Sequence, residues 1–167
     1  SGLARQVEQA HQAIRDLALS ISPQKGLATT LDVLRCADRH AYWAHVGDSV
    51  IAVAEPRQGF AQITTDHATA DHATGRHYLN NYVGQPGPLR IDRGSLELRL
   101  GQRWLLMSDG IGKHLSLEEL SRLWEVQPRP SAFCQTVVDA CLNRGGWDNL
   151  SLICIEVTPL PERLHPA

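Results

Sequence analysis

"LLMSDGIGKHLSLEELSRLW", residues 105–124, decides how this chain is read. Three apolar residues lead into Ser108-Asp109-Gly110, and Ser116 with Glu119 then forms the S-x-x-E capping box that opens a helix running to about Trp124. An apolar strand therefore ends on a carboxylate, with glycine beside it and a helix beyond. Asp-Gly pairs are common turn formers. The surrounding sequence must say whether Asp109 is a turn residue or a ligand.

Working outward, residues 5–20 carry Val7, Ala10, Ile14, Leu17 and Ala18 at helical spacing, and Ser22-Pro23 and Gly26 end that helix. The period then changes to that of strands at 30–37, 41–46 and 50–54, with Gly47-Asp48-Ser49 as the turn between the last two. Such short links predict an antiparallel β-meander. Residues 64–90 lose periodicity, and a stretch of that length is usually functional or mobile. Strands resume at 95–100 and 104–107 across Gly101-Gln102. After the helix opened by Ser116, a second helix is capped by Ser131 and buries Phe133, Val137, Val138, Cys141 and Leu142, with Asn143 and Gly145 to stop it. Residues 150–157 are a final apolar strand. This order predicts an α+β domain over residues 1–158, helices packed on antiparallel sheet, with 159–167 as a proline-containing tail.

Composition narrows the function. At 167 residues and 43% hydrophobic content, the chain is long enough for one domain with a sizeable core. A net charge of −2 gives no reason to expect a nucleic-acid or membrane surface. No apolar run approaches the ~18 residues that span a bilayer. Arg5, Glu8, Arg15 and Asp16 interrupt any leader-like segment. Cys36, Cys134, Cys141 and Cys154 form no C-x-x-C and sit within apolar patterns, which reads as reduced thiols packed in the cytoplasm.

Three aspartates share the Asp109 context. Asp48 follows the apolar run 41–46, and Asp148 precedes the last strand after Gly145-Gly146. If the fold gathers them, two carboxylates ~4 Å apart at an effective dielectric of ~20 repel by roughly 4 kcal/mol. A cation must offset that repulsion, and hard oxygen donors select Mg²⁺ or Mn²⁺ over zinc. Spacing alone leaves the alternative open that all three are turn residues.

"GLATTLDVL", "HVGDSV", "TTDHA", "WLLMSDGI" and "GGWDNLSLICIEV", in this order, resemble the PP2C (PPM) family of metal-dependent protein phosphatases, over about residues 7–157. The compact loops and the helix pair after Ser108-Asp109-Gly110 resemble bacterial members. The resemblance implies an antiparallel β-sandwich flanked by helices and two Mn²⁺ or Mg²⁺ ions, with a third possible. It implies hydrolysis of phosphoserine and phosphothreonine on proteins by an activated water, without a phosphoenzyme. Asp109 and Asp148 match ligands of the metal pair, and Asp48 matches a ligand of the third, weaker metal. Gly110 and Asn149 shape the loops around them, and Asp66 and His67 belong to a flap beside the site. Phosphorylated proteins are the expected partners, including a Ser/Thr kinase or its targets.

The sequence departs from the family at its start. The D-G-x-G-G motif and the opening strands with their phosphate-binding arginine are not in these residues, and Asp16 and Asp32 lack the flanking glycines. Three readings follow: part of a longer phosphatase, a chain completed by a separate N-terminal segment, or a catalytically incomplete binding or regulatory domain.

Other chemistries fit less well. His67, His72 and His77 are five apart, a spacing that puts them on different faces of a helix and alternating faces of a strand, so they make no zinc site. His45 reads as a satisfied core or edge residue, and Lys113 and His114 as solvated loop. No cysteine is followed by arginine in C-x₅-R, and neither a P-loop nor G-x-S-x-G is present.

Overall fold

The computed structural model describes residues 2–21, 26–70 and 77–159. Two antiparallel sheets face each other. One has the order β1 (Leu31–Ala37), β2 (His40–Val46), β7 (Asp92–Glu97). The other runs β4 (Ala61–Gln62), β3 (Val50–Ala54), β8 (Arg103–Met107), β9 (Leu152–Glu156). A small hairpin pairs β5 (Ala68–Ala70) with β6 (His77–Leu79).

Strand alternation explains the layering. In β3, Ile51 and Val53 point between the sheets, while Val50, Ala52 and Ala54 point outward to helices. In β8, Trp104 and Leu106 point inward, and Leu105 and Met107 outward. Both faces of each sheet are thus apolar. The inner layer joins Ala41, Trp43, Ile51, Val53 and Trp104. Helix α1 (Gly2–Ile21) covers the first sheet with Leu3, Val7 and Ile14 on Ala44 and Val46. Helices α2 (Asp109–His114), α3 (Leu117–Val126) and α4 (Pro130–Asn143) cover the second with Ile111, Leu120, Trp124, Phe133 and Val137. The result is the expected sandwich flanked by helices.

Two connections differ from the sequence reading. Gly47-Asp48-Ser49 is no meander turn: β2 pairs with β1 and β7, while β3 pairs with β4 and β8. The chain crosses there from one sheet to the other. Gly47 has φ +120°, and a Cβ on it would sit 2.4 Å from Thr30 Cγ2, so the crossing is built around glycine. Gly101-Gln102 likewise joins β7 to β8 in the opposite sheet rather than closing a hairpin. Helices packed on antiparallel sheet were legible, but the division of strands between sheets depends on long-range pairing.

The helices carry further corrections. Ser116 caps α3 as expected: its Oγ accepts from Glu119 N (3.2 Å), and Glu119 Oε2 accepts from Ser116 N (2.9 Å). Ser131 does not cap α4. The cap is Arg129, and Pro130 takes the first helical position, where its missing N–H leaves one fewer unpaired donor. The short helix α2 was not anticipated. Residues 22–25, where α1 was expected to end, lie outside the described residues, as do His72 and 160–167 of the expected tail. All four thiols are free, but Cys36 on β1 is exposed rather than packed. No described helix is long and apolar enough to cross a membrane.

Candidate metal centre

The site forms where the second sheet ends. Strand β8 delivers Ser108 and Asp109, and the segment before β9 delivers Asp148 and Asn149. Ser108 stitches the two together: its N donates to Ser151 O (3.0 Å), its Oγ donates to Asn149 O (3.1 Å), and Ser151 N donates to that same Oγ (3.1 Å). Gly110 allows the approach, since a Cβ there would lie 2.2 Å from Asn149 O. Asp148 Oδ1 accepts from Asn149 N at 2.7 Å, which orients its other oxygen.

Asp109 and Asp148 converge on one cation. Lys113 Nζ lies 2.5 Å from Asp109 Oδ2 and 2.5 Å from Asp148 Oδ2. Asp109 and Lys113 are four apart, so one turn of α2 stacks them. Lys113 Nζ also sits 5.9 Å from the ring of Trp147, an exposed side chain whose ring packs, tilted, against the buried His114 at 4.6 Å. The two carboxylates hold the Lys113 ammonium up to about 12. Lys113 and the Asn149 N–H hold Asp148 below the usual carboxylate range.

Asp48, at the sheet crossing, faces the same place. A cleft of about 220 Å³ is lined by Asp48, Val50, Asp66, Ala68, Asp109, Gly112 and Lys113. Partial burial and then the nearby Asp109 charge raise the Asp48 carboxyl above its ordinary value, with Asp66 adding to the effect. A larger cavity of about 500 Å³ lies elsewhere, beside the start of α1 and Arg35, Tyr42 and Arg93, with no carboxylate pair.

His67 does not share the cleft wall with Asp66. It is fully buried, and its Nδ1 accepts from Gly47 N (3.2 Å) and Asn81 Nδ2 (2.7 Å). Its proton therefore belongs on Nε2, which lies 3.3 Å from Asp92 Oδ1. The ring packs 4.9 Å from His45. The reading of His45 as a satisfied core residue holds: Nδ1 bonds Asp32 Oδ1 at 2.6 Å and Nε2 bonds Thr65 O at 3.1 Å. Both partners are acceptors, so both nitrogens donate and the ring is an imidazolium. Burial alone would depress it, but the Asp32 carboxylate outweighs that and raises it. This network lies beneath the Gly47 crossing that carries Asp48.

The donor set suits a hard divalent ion. Two carboxylate oxygens already meet one positive charge, and Mg²⁺ is commonly held by one or two carboxylates with water filling the rest of its shell. Among the described residues, no set of three or more His, Cys, Asp or Glu is close enough to hold a metal by itself. The structure thus brings Asp109 and Asp148 together and sets Asp48 and Asp66 on the same cleft. Lys113 and His114 are not solvated loop as read from the sequence: Lys113 sits between the two carboxylates and His114 is buried in α2, while Trp147 is the site residue that sequence reasoning missed. The i,i+4 spacing of Asp109 and Lys113 was a usable signal, but Gly110 and Gly112 hid the helix that gives it meaning.

Residues 2–143 match the family described as protein phosphatase 2C. The chain belongs to the protein phosphatase 2C family. Protein phosphatase PhpP of Streptococcus pneumoniae is 27% identical over 147 residues, covering 80% of this chain. The chain spans 59% of the length of that curated relative. Among solved structures, the serine/threonine phosphatase Stp1 of Staphylococcus aureus superposes with TM-score 0.83 at 21% identity, over 94% of this chain and 67% of its own. The catalytic domain of the serine threonine protein phosphatase PstP, in complex with two manganese ions, gives TM-score 0.77 at 22% identity, over 89% of this chain and 67% of its own. At these identities the structural likeness establishes the protein phosphatase 2C fold.

Proposed function

We propose that this chain belongs to a metal-dependent protein phosphatase acting on phosphoserine and phosphothreonine. The observation that carries this is the convergence of Asp109 Oδ2 and Asp148 Oδ2 on a single cation at the end of two paired strands. Family membership and relatives named as protein phosphatases support it. The PstP structure with two manganese ions supports Mn²⁺, with Mg²⁺ as the alternative of like chemistry.

In this reading Asp109 and Asp148 hold the metal pair, and Asp48 contributes to a third, weaker position. Divalent ions bound there supply Lewis acidity toward phosphoryl oxygens and lower the pKa of water. The chain's own residues supply placement. Ser108 and Gly110 lock the Asp109 turn against Asn149, so the carboxylates are held by backbone rather than by free loops. Asp66 borders the cleft through which a phosphorylated side chain enters. The substrates are phosphorylated proteins, including a Ser/Thr kinase or its targets, and the free thiols support a cytoplasmic setting.

The test is Mn²⁺-dependent hydrolysis of a phosphothreonine peptide by the intact protein that contains this chain. Asp109→Asn and Asp148→Asn each lower kcat/KM by roughly 100-fold or more. Unchanged activity in both variants removes the mechanism.

Lys113 favours a second reading, a phosphatase-like binding or regulatory domain, because one of the two carboxylate charges is already offset by the chain itself. That reading requires no Mn²⁺ binding at millimolar metal, and phosphopeptide cleavage in Mn²⁺ excludes it.

A further inference from the structure

Lys113 stands between the two carboxylates that the reading above assigns to metal, and the proposal here rests on that reading. The ammonium has no lone pair of its own and donates to both oxygens at 2.5 Å. A divalent ion seated between those same oxygens takes the position the ammonium holds and is repelled by its adjacent positive charge, so the two compete for the pair. Two properties make departure feasible. The side chain is 38% exposed, and its four-carbon stem can swing the charge into solvent. The exposed Trp147 ring already lies 5.9 Å from Nζ, so a departing cation has an aromatic face beside it to move toward.

We infer that Lys113 is a built-in competitor for the metal centre, occupying the Asp109–Asp148 pair when metal is scarce and raising the concentration of divalent ion needed to fill it. The lysine then holds the two carboxylates in place between metal-binding events, which relieves their repulsion without a bound ion. The domain would respond to divalent metal concentration rather than retain metal permanently.

The direct test is calorimetric titration of Mn²⁺ into the intact protein and its Lys113→Met and Lys113→Arg variants, with thermal melts of each in the presence and absence of Mn²⁺. Displacing two charge-assisted hydrogen bonds sets the scale, so Lys113→Met binds Mn²⁺ roughly 10- to 100-fold more tightly, while Lys113→Arg stays near the parent value. Lys113→Met also melts lower without metal and recovers with Mn²⁺, because the bare carboxylates then depend on the ion. Lys113→Gln, which keeps a hydrogen-bond donor but not the charge, follows Lys113→Met in affinity. Equal Mn²⁺ affinity in parent and Lys113→Met overturns the proposal and leaves the metal reading standing. No Mn²⁺ binding by any of the proteins overturns both. Loss of folding in Lys113→Met and Lys113→Gln that Mn²⁺ does not reverse assigns Lys113 a structural role only and also overturns it.

Discussion

Gly110 shows how much of the site depends on one missing side chain. Its Cα faces Asn149 O so closely that an added Cβ would lie 2.2 Å from that oxygen and 3.4 Å from the Asp148 Cβ. The obstructing Asn149 oxygen is backbone and cannot rotate away. Gly110→Ala therefore pushes the Asp148–Asn149 segment off β8, at a cost of about 1–3 kcal/mol in stability. The expected result is a lower urea midpoint and weaker Mn²⁺ binding together. Unfolding data showing unchanged stability would contradict the packing. Asp109 was legible as special because an apolar strand, a glycine and a capped helix surround it. His67 was not: its burial depends on Asn81, 14 residues away, and on Gly47, 20 residues away.

At the scale of elements, the same contrast between local and distant signals recurs. The α3 cap could be read because Ser116 and Glu119 complete each other within one turn. Helix α2 escaped notice because Gly110 and Gly112 lower its intrinsic helix preference, and what holds it is Ile111 in the core beneath. The crossing at Gly47–Ser49 looked like a hairpin because its turn chemistry is real, while its destination depends on β3 pairing with β8, some 50 residues further on. The histidine network ties these elements together. His45 on β2 joins Asp32 on β1 and the carbonyl of Thr65, while the Thr65 N donates to Asp92 on β7. The groups facing His45 are Asp32, Asp92 and His67. Its folded pKa is raised above 6.5, so its stabilisation is fully present below that pH and is lost as pH rises through the folded value. The stability difference between the parent and His45→Gln is thus largest near pH 6 and shrinks on going alkaline. Chemical denaturation across that range checks it, and a difference independent of pH would show that His45 is not charged in the fold.

The described residues form a four-layer arrangement that sets Asp48, Asp109 and Asp148 at one rim. Strand ends from the second sheet place Asp109 and Asp148, and the crossing between sheets places Asp48. The inner layer around Trp104 and the helical layer around Phe133 pack against the strands that lead to this rim. On the proposed function, Asp109 and Asp148 hold divalent metal between them. Crystals of the intact protein grown in Mn²⁺ and measured at the manganese absorption edge test it directly. The account predicts an anomalous peak within about 2.5 Å of an oxygen of each carboxylate, with Lys113 displaced from between them. Anomalous peaks confined to other parts of the surface, with Lys113 still bridging the pair at millimolar Mn²⁺, would contradict it.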